Sequence, residues 1–322
     1  MGAARPLISV VLPTWNTRED TLDFLESLAR QDYPRAALEV LIADNGSGDG
    51  SQDAIRRWYA QHAAESWHRL ELIELPENRG IAAGYNAAYE RCSPEALAIL
   101  RAESDVLFAP DLVTALVEDL LALPDAGVVG ARGVIHGSPG RIDHAARYVS
   151  WWTGSFRELD PAALVDCDCV FGGTFLVRRS CIERMGSFFQ RNRFLASELE
   201  LCTRVKRLGY RVLCEPRAVA QHKVARSSGH LDHVKFAYIS HREQTLFHLA
   251  YNRFPRKAVF LAFTLAWSAK RALAGEGMFL RGFLDGLSLG CLHRPVRLPG
   301  TASAAGLTLA EWLALPQHRA TD

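Results

Sequence analysis

The sequence predicts an α/β fold: a mostly parallel sheet with helices on both faces, followed by a C-terminal helical appendage. Three observations predict it. Short Val/Ile/Leu-rich runs alternate with amphipathic stretches from Leu7 to about Gly130. The first strands close on turns rich in Asn, Asp or Gly. From about Asp232 to near Leu292 the pattern turns helical. Strand–helix alternation builds parallel sheets, because parallel neighbours need a crossover long enough to hold a helix.

Each element follows from local chemistry. Leu7–Pro13 is a first strand, and Thr17 then caps a helix with Leu22, Leu25, Leu28 and Ala29 on one side. Leu38–Ala43 is a second strand, closing on Asp44-Asn45-Gly46, and Ser51 is placed to cap a helix carrying Ala54, Ile55, Trp58 and Tyr59. Leu70–Leu75 and Ala96–Leu100 read as strands around a helix near Ala82–Arg91. Asp111–Leu121 is helical, and Gly127–Gly130 begins another strand. Past Val134 the rhythm breaks into loops and short strands holding Trp151 and Trp152, which serve as aromatic core or, less simply, as a platform for a sugar. Val170–Val177, with Gly172-Gly173, is a strand, Glu198–Leu208 a helix and Tyr210–Cys214 a strand, and a tail with Pro295, Pro299 and Pro316 closes the chain.

Composition narrows the class. With 322 residues, 48% hydrophobic and 23% charged, the chain can bury a sizeable core. A formal net charge of +1 gives no electrostatic footprint for nucleic acid, so none is expected as a partner. Seven cysteines with no C-x-x-C spacing point to a reducing compartment, and Cys167-Asp168-Cys169 reads as packing. Leu7–Leu12 is too short for a secretory signal, and no run reaches the roughly 18–20 apolar residues of a spanning helix. Ala258–Trp267, bracketed by Arg256-Lys257 and Lys270-Arg271, fits a core helix or one lying in a membrane interface.

Four loops fall at the ends of successive strands, where ligands bind in open α/β sheets. They are Pro13-Thr14-Trp15-Asn16, Asp44-Asn45-Gly46-Ser47-Gly48-Asp49, Asn78-Arg79-Gly80-Ile81-Ala82-Ala83-Gly84-Tyr85-Asn86 and Ala102-Glu103-Ser104-Asp105. An Asp at such an end can accept the imide N–H of a pyrimidine, and the Gly and Ser beside it let backbone amides approach phosphate or ribose.

These motifs, together with Val10-Val11-Leu12-Pro13 before the first loop and Gly209-Tyr210-Arg211-Val212, resemble the family 2 glycosyltransferases of GT-A fold, especially the rhamnosyltransferase-like branch, over about residues 7–225. The resemblance implies a division into a GT-A catalytic domain, residues 1–231, and a C-terminal helical region, residues 232–322. Within the first, residues 1–133 would be the nucleotide-sugar-binding half and 134–231 the acceptor-binding half. It implies that Asp44 meets the base, and that Pro13, Thr14, Asn16, Asn45 and Ser47 line the nucleoside pocket. Asn78, Gly80, Gly84 and Asn86 would follow the ribose and diphosphate. Glu103-Ser104-Asp105 stands where the family has Asp-x-Asp, so Glu103 and Asp105 would hold Mg²⁺ or Mn²⁺, with Ser104 at the donor and His222 as a third metal or diphosphate contact. Lys223 and Arg226 are further cations for that diphosphate.

Ser197-Glu198-Leu199-Glu200 replaces the family's Glu-Asp-x-Asp. Ser197 and Glu200 form a capping box, which leaves Glu198, on the stripe of Cys202 and Val205, as the expected catalytic base. The implied activity is inverting transfer of a sugar from a nucleotide diphosphate-sugar, dTDP-rhamnose or a UDP-hexose, to a hydroxyl of a glycan or lipid-linked acceptor. The expected location is cytoplasmic, peripheral on the inner face of the cell membrane, with contact to anionic lipid. A nucleotide-sugar-binding protein with lost turnover is the alternative, since both acidic motifs deviate. A nicotinamide-dependent dehydrogenase fits the alternation but lacks G-x-G-x-x-G after the first strand.

Overall fold

The computed structural model describes residues 5–138, 140–189, 198–223 and 233–292. Its elements run β1 (Ile8–Thr14), α1 (Arg18–Ala29), β2 (Leu38–Asp44), α2 (Ser51–His62), β3 (Arg69–Glu74), α3 (Ile81–Tyr89), β4 (Ala98–Ala102), β5 (Val106–Phe108), α4 (Leu112–Ala122) and β6 (Ala126–Ile135). There follow β7 (Ile142–His144), β8 (Ala146–Val149), β9 (Phe156–Leu159), β10 (Val165–Asp166), β11 (Thr174–Arg178), α5 (Arg179–Met185), α6 (Glu198–Arg207), β12 (Arg211–His222), α7 (His233–Tyr251), α8 (Arg256–Leu273) and α9 (Gly277–Leu292).

The main sheet has the order β10-β12-β6-β11-β4-β1-β2-β3, with β5 added on β12 and β7 on β6. β4, β1, β2 and β3 are mutually parallel, and every residue of β1 and β2 is buried, as strands covered on both faces must be. The parallel run stops at β11, which pairs antiparallel with β4 on one side and β6 on the other, while β6 and β12 are again parallel. The sheet is therefore the curled mixed α/β sheet of a GT-A fold, with a reversed strand near its middle. Helix α3 lies close on β1, because a Cβ at Gly84 would stand 2.7 Å from the Pro13 Cβ. Only glycine fits there.

The chain forms two compact units. One runs to Arg147 and resumes at Glu158 through β12; it contains the whole main sheet. The other joins Tyr148–Arg157 to α7, α8 and α9. In the second unit α9 presents Gly282 and Gly286 to α7, where added Cβ atoms would fall 2.5 Å from the Tyr238 carbonyl oxygen and 2.7 Å from the Thr245 Cβ. Trp151, half-buried, stacks on Phe247 at 5.6 Å between ring centroids; Trp152 is exposed, under the Arg256 guanidinium. The start of α2 differs from expectation. Gly50, in the left-handed region at φ 82°, precedes α2, and Asp49 Oδ1 accepts from the Ser51 N–H at 3.0 Å. The capping box of Ser197 with Glu200 lies outside the described residues.

Candidate active site

All described residues of the site belong to the first unit. The carboxyl ends of β1 and β2 are tied together: the Asn45 N–H donates to the Thr14 carbonyl at 2.9 Å, and the Asn16 N–H to Ser47 Oγ at 2.9 Å. Asn16 takes φ 52°, a conformation asparagine tolerates, and its Oδ1 accepts from the Gly48 N–H at 2.8 Å. Asp44 is wholly buried; its Oδ1 accepts from the Ser47 N–H at 2.8 Å and from Gln52 Nε2 at 2.7 Å. Its Oδ2 has no hydrogen-bond partner among the described residues. An unsatisfied buried carboxylate oxygen is costly, and a ligand N–H would relieve it.

A chain of hydroxyls leads from β1 to the acidic loop. Thr14 Oγ1 lies 2.8 Å from both Thr17 Oγ1 and Thr21 Oγ1, and Thr17 Oγ1 donates to Ser104 Oγ at 3.1 Å. Thr17 precedes α1 as expected, yet its side chain bonds other hydroxyls and leaves the helix backbone alone.

Around Ser104 the acids converge. Glu103, Asp105 and His222 each offer an atom, all within 4.8 Å of one another. His222 closes this cluster from the end of β12: Nε2 stands 3.4 Å from Asp105 Oδ2, while Nδ1 lies 2.7 Å from Asp143 Oδ2. Burial alone would lower the imidazole's proton affinity. The carboxylates of Asp105 and Asp143 outweigh it and push the pKa to about 10. Burial raises Glu103, against the pull of Arg101, whose Nη2 donates to Glu103 Oε1 at 2.6 Å. The Arg101 guanidinium is itself buried, over the rings of Tyr85 (4.7 Å) and Phe175 (5.3 Å).

The donor set suits a divalent cation. Two carboxylates and an imidazole can ligate together once the cation displaces the Nε2 proton that Asp105 stabilises, and Asp143 holds the far ring nitrogen as outer partners of metal-bound histidines do. Glu198, at the start of α6, is half-buried, with Arg147 Nη1 3.2 Å from its Oε1. Gly172 makes room for it, since a Cβ there would be 3.1 Å from the Glu198 carboxyl carbon.

Other expected residues are engaged locally. Asn78 Oδ1 accepts from the Gly80 N–H at 2.9 Å, and Gly80 enters α3 at φ 89°. Asn86 exchanges two hydrogen bonds with the Phe189 backbone, at 2.9 and 3.0 Å, and Gly84 packs on Pro13. Lys223 Nζ pairs with Asp20 at 2.9 Å and with Asp23 at 2.5 Å, so its charge is already matched within the protein. Arg226 lies outside the described residues. Sequence reasoning missed Asp143, Arg147, Arg101 and Gln52; only Gly172-Gly173, glycines inside an apolar run, signalled a close approach.

The architecture is a GT-A fold, with the cluster of Glu103, Asp105 and His222 at the ends of its strands. The model of Glycosyl transferase family 2 matches residues 9–186, more than half of the chain, and the chain belongs to that family. It is 28% identical over 240 residues to an N-acetylglucosaminyltransferase of Mesorhizobium japonicum, covering 71% of this chain and 54% of that protein. The chain thus spans about half the length of that relative. It is also 32% identical over 100 residues to glycosyltransferase AglE of Haloferax volcanii, 31% of each chain. The mannosyltransferase PcManGT of Pyrobaculum calidifontis, solved with GDP-Man and Mn²⁺, shares the fold at TM-score 0.59 and 20% identity, over 91% of this chain and 89% of that one. TarS 1–349 of S. aureus shares it at TM-score 0.58 and 15% identity, over 88% and 81%.

Proposed function

We propose that this glycosyltransferase is an inverting enzyme that moves a sugar from a pyrimidine nucleotide diphosphate-sugar to a hydroxyl of a glycan or lipid-linked acceptor, peripheral on the inner face of the cell membrane. The observation that carries it is the hydroxyl chain Thr14–Thr17–Ser104, which links the strand end beside Asp44, with its unpartnered oxygen, to the Glu103, Asp105 and His222 cluster. Base recognition falls to Asp44, with Pro13, Thr14, Asn16, Asn45 and Ser47 shaping the pocket. Asn78 and Gly80 keep the third loop within reach of the diphosphate. Residues up to 133 bind the donor and residues 134–231 the acceptor.

Glu198 takes the proton of the acceptor hydroxyl as that oxygen attacks the anomeric carbon. The carbon–oxygen bond to the diphosphate breaks on the opposite side, so configuration inverts. A divalent cation held by Glu103, Asp105 and His222 would supply neutralisation of the departing diphosphate. An imidazole among the ligands favours Mn²⁺ over Mg²⁺, which prefers oxygen throughout. Arg147 keeps Glu198 in place between transfers, and Arg101 fixes the orientation of Glu103.

A donor panel tests the proposal, with dTDP-rhamnose, UDP-hexoses, a UDP-N-acetylhexosamine and GDP-mannose, reading diphosphate release. Turnover is expected with a pyrimidine donor, higher with Mn²⁺ than with Mg²⁺, and lost in EDTA and in Asp105→Ala. Nucleotide-sugar binding with no diphosphate release from any donor and acceptor extract would favour the non-catalytic alternative. Full activity in excess EDTA would remove the cation.

A further inference from the structure

Helix α8 is built inside out. Its buried side chains are Phe260, Thr264 and Ser268, one stripe at i, i+4 and i+8. That stripe meets its own unit, where Phe260 stacks on His248 at 3.8 Å between ring centroids. Two of the three are hydroxyl residues. Four other apolar side chains face away: Val259, Phe263 and Leu265 are 44, 47 and 46% exposed, and Leu273 is 91% exposed, while Trp267 packs on His241 and Phe279. A helix serving only its own core would place these residues inward and the hydroxyls outward. Exposure on this scale along one helix marks an interaction surface.

Charge on the same helix selects the partner. α8 contains no Asp or Glu, and its ends carry Arg256, Lys257, Lys270 and Arg271, with Arg253 just before it. Arg271 is matched by Glu276, and Lys257 Nζ caps the Leu249 carbonyl at 2.7 Å; the helix nevertheless keeps a basic collar at each end of an apolar arc. Among the described residues no helix is long and apolar enough to cross a membrane. An apolar arc with basic ends and no acid complements an anionic bilayer, apolar atoms among acyl chains and cations at the headgroups.

We infer that α8 is an interfacial helix that seats this chain on an anionic lipid surface through Val259, Phe263, Leu265 and Leu273. The purpose, bringing the enzyme to a lipid-linked acceptor, rests on the proposed function; the physics rests on α8 alone. Full-length protein is sedimented with vesicles of phosphatidylcholine alone and of phosphatidylcholine with phosphatidylglycerol, at low and high salt. The wild type is expected to follow the anionic vesicles and to be released by salt. The double variant Val259→Ser/Phe263→Ser, both sites exposed, should keep its circular dichroism and partition about tenfold more weakly or worse. Lys270→Gln should cost about fivefold on anionic vesicles and nothing on neutral ones. Wild-type protein left in the supernatant with anionic vesicles at low salt would overturn the inference, as would a double variant that sediments like wild type. A dimer that the same substitutions dissociate would give the arc to a second copy and also overturn it. Calorimetric titration with UDP and dTDP runs in parallel. Failure there strikes the donor site and leaves the helix untouched.

Discussion

Glu198 is held between the Arg147 guanidinium at 3.2 Å and the bare Cα of Gly172. A carboxylate so placed is oriented but still reachable, being about a quarter exposed, with 24% of its side chain open. Glu198→Gln keeps the shape and removes the base. Turnover should fall by ~10²–10⁴-fold with donor affinity little changed; near wild-type turnover would pass the role to another group, Glu200 first. Asp143 carries a separate prediction. It fixes the ring whose other nitrogen faces Asp105, so Asp143→Asn should weaken Mn²⁺ binding by ~10–100-fold in calorimetry, with secondary structure intact. Unchanged affinity would make Asp143 a bystander. Neither partner was legible beforehand. Asp143 lies 79 residues before His222, and Arg147 lies 51 before Glu198, and both sit in stretches that read only as loops and short strands. Asp44, Glu103 and Asp105 stood out because strand-end loops carry their geometry in local sequence.

At the scale of elements, alternation of strand and helix was readable wherever hydrophobic periodicity decided it, and the observed β1, α1, β2 and α2 fall within a few residues of expectation. Direction was not readable. An apolar run does not say which way its strand points, so β11 was expected only as a strand from Val170 and proves to be Thr174–Arg178, antiparallel to both neighbours. The strand expected at Tyr210–Cys214 is the first part of β12, which the structure carries on to His222 through an irregularity in register between Glu215 and Val219. The seat of α3 is open to test. In Gly84→Ala the new methyl would meet Pro13 Cβ at 2.7 Å and Asn45 Nδ2 at 2.9 Å, so helix and loop must part. We expect a loss of about 1–2 kcal/mol in denaturant unfolding, the overpacking cost less the gain in helix propensity. An unchanged midpoint would show that α3 moves freely on β1.

For the whole molecule, acid pairs set how stability varies with pH. Asp119 on α4 faces Glu215 on β12; burial first, and then that neighbour, raise the Asp119 pKa from 3.8 to about 7. The folded chain therefore holds a proton that the unfolded chain releases earlier. The Asp119 carboxyl is neutral in effect below about pH 4, costs stability as pH climbs toward about 7, and costs a constant amount above it. Glu215, held below its ordinary value against burial by hydrogen bonds from Arg217 and Asp119, works in the opposite sense at lower pH. Asp119→Asn mimics the protonated acid. Its melting temperature should match wild type near pH 4 and exceed it above pH 7; parallel pH curves for the two proteins would refute the linkage. One further consequence follows from the reversed strand. Parallel strands deliver their finishing ends to the crevice, each followed by a loop that then turns away into a helix. β11 pairs Thr174 with Ala102, so it delivers its beginning there, and the segment leading into it arrives at the crevice before the strand starts. That is how Gly172 comes to lie beside Glu198 and the Gly173 carbonyl to accept from the Glu103 N–H at 3.0 Å. By running one strand backwards, the chain brings Gly172 and Gly173 against Glu198 and Glu103 from stretches far apart in order of synthesis, and it needs no second sheet to do so.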